Sequence, residues 1–174
     1  MKYYRIKQKE TSRNVIRPVF PSLTEIWSEN QPLFIKGSVK KTVNEIVFLP
    51  FYSSHTFLIL DEMKRIWTKY QLGGTYRPCS LGSIEQRIVK AYWFMKPIIL
   101  EAVHESTVYY KSGDIEKLCL DRDIVKKNKV FGIRRWHHID LILSEDILEE
   151  MLQQRITEFH WNEIESYQGE LMYE

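Results

Sequence analysis

The sequence predicts an α+β protein in which amphipathic helices pack on one or two twisted, mainly antiparallel sheets. Three features predict this class: short runs rich in β-branched and aromatic residues, two helix-length segments with one apolar face, and glycine-containing turns. No Gly-rich linker divides the 174 residues. We therefore expect a single domain (1–174), in which an N-terminal lobe (1–90) and a C-terminal lobe (91–174) could share one core.

The opening third of the chain gives weak structural signals. A strand is predicted in KYYRIKQ and a short helix in SLTEIWSE. Loops are expected around the four prolines of this region, because proline lacks the amide proton that helices and strands require. These prolines are Pro18, Pro21, Pro32 and Pro50.

A strand–helix–strand unit is predicted next, over residues 57–78. TFLIL is a β-prone run, and Asp61 is a good N-cap because its carboxylate can accept from the free N–H groups of the first helical turn. Gly73 and Gly74 then end the helix, and TYRP begins a second strand. Residues at i, i+3, i+4 and i+7 give the helix one apolar face: Met63, Ile66, Trp67 and Tyr70.

The middle of the chain is mostly extended. VKAYWFM and KPIILEAVHEST read as strands that Pro97 separates. VYYKSGDIEKLCLD reads as two strands around a turn, in which Gly113 can adopt positive φ. Asp121 is placed to cap a short helical turn in RDIVKKN, and KVFGIRRW is strand-like.

A second strand–helix–strand unit follows in residues 139–164. IDLIL is the strand, Ser144 is the expected cap, and EFHWNEI is the closing strand. Its similarity to the first unit is consistent with an ancient duplication or with chance similarity between short amphipathic segments. The predicted apolar face of this helix consists of Ile147, Leu148, Met151 and Leu152.

Charge is distributed unevenly along the chain. From Ser144 to the C-terminus there are nine acidic residues and one basic residue, Arg155, so this segment carries −8 and the remainder +10. The two poles could attract each other within the fold, or the acidic face could contact a partner. The basic stretch DRDIVKKNKVFGIRR suggests nucleic acid, but no recognised nucleic-acid-binding motif accompanies it.

No motif indicates an enzyme, so we expect no catalytic residue, no metal site and no cofactor. The nucleophile elbow and the phosphate-binding loop are both missing from the sequence. His138 and Asp140 would share a strand face and could hold a metal if His104 or His160 joined them. VHES places His, Glu and Ser close together, although a triad is defined by geometry. Cys79 and Cys119 are expected to be reduced, partly buried thiols.

Several quoted segments follow the pattern of a known family. They are TFLILDEMKRIWTKYQLGGTYRPCSL, YWFM, LEAVHES, LCLDRDIVKKNKVFGI, LILSEDILEEML and ITEFHWNEI. In this order they resemble the bacterial polymorphic-toxin immunity proteins, a family also described as a domain of unknown function. The resemblance covers about residues 57–164. Glu158 stands where the family commonly has glycine, and the first 50 residues align with none of the pattern.

The resemblance implies a cytoplasmic protein without enzymatic activity that binds a cognate secreted toxin and blocks it. The N-terminus lacks the apolar segment of a secretory signal, and no apolar run is long enough to span a bilayer, so a membrane partner is not expected. Charged surfaces favour fast and selective protein association. The candidate partner-binding residues are therefore Glu145, Glu149 and Glu150 on the last helix, and Lys126, Lys127, Arg134 and Arg135 in the basic stretch.

A second hypothesis stays open beside the first. The basic stretch Lys126–Arg135 and its neighbouring aromatic residues could bind nucleic acid, or serve a nuclease-like protein. A toxin partner is the favoured prediction, nucleic acid the less favoured one. The sequence leaves the oligomeric state open.

Overall fold

Strands dominate the regular structure. A computed structural model of the protein describes residues 1–10, 14–28, 31–39 and 45–167. Its first elements are β1 (Tyr3–Gln8), β2 (Arg17–Pro18), α1 (Leu23–Ser28), β3 (Leu33–Ser38), β4 (Phe51–Ser53), β5 (Phe57–Leu60), α2 (Asp61–Tyr70), β6 (Gly74–Ser83) and β7 (Ile88–Pro97). They are followed by β8 (Val108–Tyr109), β9 (Ile115–Lys117), β10 (Cys119–Asp121), α3 (Arg122–Val125), β11 (Val130–Arg134), β12 (Ile139–Ser144), α4 (Glu145–Gln153) and β13 (Phe159–Tyr167).

The described strands form two large sheets and one small hairpin. The six-stranded sheet has the order β2-β3-β6-β7-β5-β4, the five-stranded sheet has the order β10-β13-β1-β12-β11, and β8 pairs with β9. Most neighbouring strands are antiparallel, but β3 runs parallel to β6 and β10 runs parallel to β13. The protein is therefore α+β, and its two large sheets are mixed.

The two longest described helices bury their apolar faces against each other and against the sheets. The indole Nε1 of Trp67 lies 3.2 Å from the Sδ atom of Met151, which joins α2 directly to α4. Tyr70 was predicted on the apolar face of α2, but it is 39% exposed and its hydroxyl donates to Glu150. The buried residues of these helices are Met63, Ile66, Trp67, Ile147, Leu148 and Met151.

The predicted N-cap residue is wrong for α2, whereas for α4 it is confirmed in position but makes no side-chain cap hydrogen bond. α2 begins one residue early, with Leu60 at the N-cap position, and its cap makes no side-chain hydrogen bond. The Asp61 carboxylate instead accepts from the Trp93 indole at 2.7 Å and pairs with Arg65. Ser144 does occupy the N-cap of α4, but its hydroxyl bonds to Asp146. Other donors therefore occupy the Asp61 carboxylate, whereas the Ser144 hydroxyl is the donor in its contact with Asp146.

The cap predicted for the short helix α3 is confirmed. The Asp121 carboxylate accepts from the backbone N–H of Asp123 at 2.9 Å and of Ile124 at 3.4 Å. This cap anchors the basic stretch at its N-terminal end. Within the described part of the chain, no helix combines the length and apolar character needed to cross a membrane.

The central hydrophobic cluster joins both sheets and both long helices. Ile6 of the five-stranded sheet and Phe57 of the six-stranded sheet belong to it, together with Trp67 and Met151. Each large sheet also has a smaller hydrophobic cluster. The cluster of the six-stranded sheet includes Phe94, and that of the five-stranded sheet includes Phe131. Because the central cluster contains residues of both sheets, it packs the two sheets against each other. The cleft described next is lined by residues of both sheets.

Candidate functional site

A cleft of about 480 Å³ is lined by residues from both sheets and from α1. Its size lies in the range typical of ligand-binding clefts. An adjoining recess of about 290 Å³ shares part of its wall. The cleft is lined by Leu23, Trp27, Ser54, His55, Thr56, Phe57, Met95, Lys96, Pro97, Arg134, Arg135, Trp136, His137, His138 and Ile139.

The lining of the cleft is basic and aromatic. It contains Lys96, Arg134 and Arg135, and among the described residues it contains no Asp or Glu. Lys96 and Arg134 are exposed, and neither makes an ion pair with any described residue. Positive charge at this site is therefore left uncompensated and faces solvent.

Trp136 forms the rim of the cleft and is 70% exposed. Its indole stacks on the His137 ring, with centroids 5.8 Å apart and planes inclined by 26°. A Cβ atom at Gly113 would come within 3.0 Å of the indole, and Gly113 has a φ of +86°, so the predicted glycine turn also makes room for the tryptophan. A large, ordered and exposed aromatic side chain is a typical anchor in protein interfaces.

A buried ionic network forms one wall of the site. Asp140, whose side chain is only 5% exposed, accepts from Arg5 and Arg135 at 3.2 Å each. Arg135 also reaches the Asp114 carboxylate at 3.0 Å and the Ile115 carbonyl, which fastens the β8–β9 hairpin to β12. His138 Nε2 lies 3.4 Å from Asp140. The network fixes the segment that carries Trp136 and His137.

The opposite wall depends on α1, which a capping box and a buried arginine hold in place. Ser22 and Glu25 exchange hydrogen bonds in the S-x-x-E pattern, and this contact lowers the pKa of Glu25. The Arg77 guanidinium donates to the carbonyls of Glu25, Ile26 and Gln31 near the end of the helix. α1 is therefore fixed at both ends, and it places Trp27 against the cleft.

The predicted basic candidates separate into different environments. Arg134 and Arg135 both line the cleft. Arg134 is exposed, whereas the side chain of Arg135 is only 8% exposed and pairs with Asp114 and Asp140. Arg135 is therefore a structural residue of the wall, because its charge is already neutralised. Lys126 pairs with Asp123 at 2.9 Å. Lys127 is exposed and has no ion-pair partner in the described part.

The predicted acidic candidates lie on α4, and they also differ from one another. Glu150 accepts from Lys69 and Tyr70 of α2, and these hydrogen bonds lower its pKa. Glu149 is exposed and Glu145 half-buried, and within the described residues neither forms an ion pair. None of the three lines the cleft. The structure thus does not bring the acidic and basic candidates together into one site.

Lysines from the rest of the chain neutralise most of the described acidic residues after Ser144. Lys2 pairs with Glu163, Lys9 with Glu158, Lys69 with Glu150, Lys117 with Glu165 and Lys129 with Asp146. Glu170 and Glu174, which entered the predicted charge count, lie outside the described residues. The uneven charge of the sequence is therefore largely used within the fold, as one of the two interpretations predicted.

The histidine-based alternatives do not develop into a reactive site. His138 and Asp140 do face each other, but no described cluster of three His, Cys, Asp or Glu could hold a metal ion. His104 Nδ1 lies 3.0 Å from the Ser106 hydroxyl and accepts from the Ser106 N–H, which makes a local turn.

Burial raises the pKa of the Cys79 thiol to about 12 and also raises that of Cys119. Both thiols are buried and therefore favour the protonated form, which is the weaker nucleophile.

Sequence reasoning missed several residues of the cleft. Trp27, His55 and Lys96 come from separate segments, and no local pattern connects them with Arg134. The nearest signal was the RRW segment, whose aromatic and basic residues suggested stacking on a ligand.

The sequence matches no known family model, and no curated protein is significantly similar to it. The resemblance to immunity proteins therefore remains a prediction from sequence pattern. The composition of the cleft and the pairing of the surrounding charges are the physical basis for a functional proposal.

Proposed function

We propose that this protein is a non-catalytic, cytoplasmic binding protein that neutralises the toxin domain of a cognate secreted bacterial toxin. The observation that supports this best is the cleft, which combines an exposed Trp136 with two unpaired cationic side chains. Tryptophan and arginine are the residue types that most often dominate the free energy of protein association. A protein partner is therefore the ligand class that this surface suits.

In this proposal, the two similar strand–helix–strand units predicted from the sequence, residues 57–78 and 139–164, supply the scaffold. Their helices pack together through Trp67 and Met151, and Phe57 and Ile139 of their first strands line the cleft. A preformed surface loses little conformational entropy on binding, so tight inhibition is possible without a large rearrangement. Glu149 and Lys127 remain exposed beyond the cleft and are candidates for a second contact area.

The test is affinity capture from the producing bacterium with the tagged protein as bait, followed by mass spectrometry and a growth-protection assay. We expect near-stoichiometric recovery of the C-terminal domain of a large secreted protein, and survival of cells that express that domain together with this protein. Recovery of no such domain by the wild-type protein, or no protection by it, would contradict the proposed function.

A single substitution focuses this test on the rim of the cleft. Trp136→Ala should reduce recovery of the toxin domain about 10-fold or more, because truncation of a tryptophan that anchors an interface commonly costs about 2 kcal/mol or more. Ile84→Ala is the matched control, since Ile84 is 75% exposed and does not line the cleft. Equal losses in the two variants would remove Trp136 from the interface.

A second candidate function, nucleic-acid binding, is favoured by one observation. The cleft places Arg134 beside the stacked rings of Trp136 and His137, and such arrangements can hold a single-stranded base and its phosphate. Binding of random single-stranded RNA or DNA, with affinity falling steeply between 50 and 200 mM salt, would support this alternative. This alternative also predicts that a variant with reversed charges in the Lys126–Arg135 region loses its binding to RNA or DNA.

A further inference from the structure

We propose that the cleft receives an acidic segment of the partner protein. Its carboxylates would lie against Lys96 and Arg134, and an apolar or aromatic side chain of the same segment against Trp136. Since the proposed function already requires a protein partner, this assignment rests on it and specifies the chemistry of the contact. The acidic candidates on α4 play no part in it.

The first support is the balance of charge around the cleft. Asp114 and Asp140 neutralise Arg135, whereas Lys96 and Arg134 have no ion-pair partner among the described residues. Lys7, which is exposed in the adjoining recess, is likewise unpaired in the described part of the chain. Elsewhere, lysines are paired with five acidic residues of the C-terminal segment. The cleft is thus a place where cations are available to an outside anion.

The second support is the apolar part of the lining, which an ion alone would not use. Trp27, Phe57 and Pro97 contribute to the wall, and Trp136 overhangs it. A volume of about 480 Å³ accommodates a few side chains rather than a folded surface. The matching ligand is a short, protruding segment that carries both carboxylates and an apolar side chain.

The number of unpaired cations separates an acidic protein segment from nucleic acid. Specific nucleic-acid binding commonly neutralises roughly 6–10 phosphates. Lys7, Lys96 and Arg134 supply only three cations at the cleft and its adjoining recess. Two or three carboxylates are the better match in charge.

The experiment uses the full chain and a defined probe. The probe is a fluorescein-labelled peptide, Gly-Asp-Trp-Glu-Asp-Gly, and its neutral counterpart has Asn and Gln in place of the acidic residues. We expect the acidic peptide to bind about 10-fold more tightly than the neutral one, measured by fluorescence anisotropy at low salt. It should also shift the NMR signals of the Trp136 indole.

Two variants with equal change in net charge locate the binding. Lys96→Glu combined with Arg134→Glu should weaken binding of the acidic peptide about 10-fold or more, since both cations are reversed. Lys126→Glu combined with Lys127→Glu should change it less than about 2-fold, because neither residue lines the cleft. Circular dichroism confirms that both variants are folded.

The assignment would be overturned if the acidic peptide does not bind, or if the neutral peptide binds equally well. It would also be overturned if both double variants weaken binding equally. Displacement of the labelled peptide by a ten-nucleotide single strand at a lower concentration than by the unlabelled acidic peptide would overturn it too. Capture of the toxin domain separates this inference from the proposed function. If the Lys96/Arg134 variant captures the toxin domain as well as the wild type, the cleft assignment fails and the function stands. If the wild type captures none although the acidic peptide binds in the cleft, the function fails.

Discussion

The contact between α2 and α4 and the cleft use charge in opposite ways. At the helix contact, Lys69 and Tyr70 of α2 share the carboxylate of Glu150, and Lys129 pairs nearby with Asp146. At the cleft, Lys96 and Arg134 have no ion-pair partner within the described part of the chain, although the neighbouring Arg135 is paired with the buried Asp140. Both regions draw on a sequence whose net charge is only +2.

This difference shows why charge patterns in a sequence do not identify a binding surface by themselves. In the most conspicuous acidic run, on α4, two of the four acidic residues, Asp146 and Glu150, are paired with lysines from other parts of the chain. Lys96 and Arg134, two of the cations without an ion-pair partner among the described residues, are far apart in the sequence and both line the cleft. Uncompensated charge in the folded protein is thus the better indicator of a partner site.

The largest effect is expected from the core beneath the helix contact. Trp67→Ala should lower the free energy of unfolding by about 4 kcal/mol, because the indole is fully buried between α2 and α4 and its removal leaves a cavity. Urea unfolding followed by circular dichroism measures the loss. Trp161→Ala, at a side chain 38% exposed, should cost about 1 kcal/mol, and equal losses would show that the helix contact is not central to stability.

The next effect concerns the ionic network behind the cleft. Asp140→Ala should lower the free energy of unfolding by about 3 kcal/mol, since it leaves the buried Arg135 guanidinium partly unpaired. Asp123→Ala, which removes an exposed ion pair with Lys126, should cost at most about 0.5 kcal/mol. A stability of the Asp140 variant equal to that of the Asp123 variant would mean that the network is solvated and does not fix the wall.

A smaller effect depends on pH at the helix contact. Hydrogen bonds from Lys69 and Tyr70 lower the pKa of Glu150 below the ordinary glutamate value of 4.5. The folded state therefore favours the ionised form, so the stabilisation is present above pH 4.5 and is lost as pH falls through the lowered pKa. The melting-temperature difference between wild type and Glu150→Gln should be present at pH 7 and shrink below pH 4.5. A difference that grows on acidification would contradict the assigned contact.

The smallest effect on stability is expected at the cleft itself. Lys96→Ala combined with Arg134→Ala should change the free energy of unfolding by less than about 0.5 kcal/mol, because neither side chain has an ion-pair partner among the described residues. The same urea titration as for the core variants measures it. A loss above about 1 kcal/mol would show that these cations have structural partners, and the contrast with the helix contact would disappear.

Local features of the fold could be predicted from sequence because they depend on neighbouring residues. The buried faces of α2 and α4 follow from apolar residues spaced three and four apart, and the Asp121 cap follows from its place before RDIV. The predicted cap at Asp61 does not form, because its carboxylate accepts from the Trp93 indole of β7, which is distant in the sequence. A local sequence pattern does not show whether a residue distant in the sequence will form a hydrogen bond with the predicted cap.

The site was harder to predict than the fold for the same reason. Arg134 was identified from its basic neighbourhood, but its neighbour Arg135 is buried and neutralised, and no sequence signal separates the two. His55 and Lys96 reach the cleft through the pairing of β5 with β7, in which Phe57 lies opposite Met95. Register between strands brings the cleft together, and register is a property of the whole sheet.

The position of β1 has a consequence for the protein during its synthesis. β1 lies between β12 and β13, where Tyr3 is opposite both Ser144 and Ile164. At a translation rate of about 5–20 residues per second, roughly 7–30 seconds separate the synthesis of β1 from that of its partner strands. The six-stranded sheet can assemble in that interval, since all of its strands lie within the first 97 residues. Throughout this interval β1, which carries Tyr3 and Tyr4, lacks both of the strands that flank it in the folded sheet.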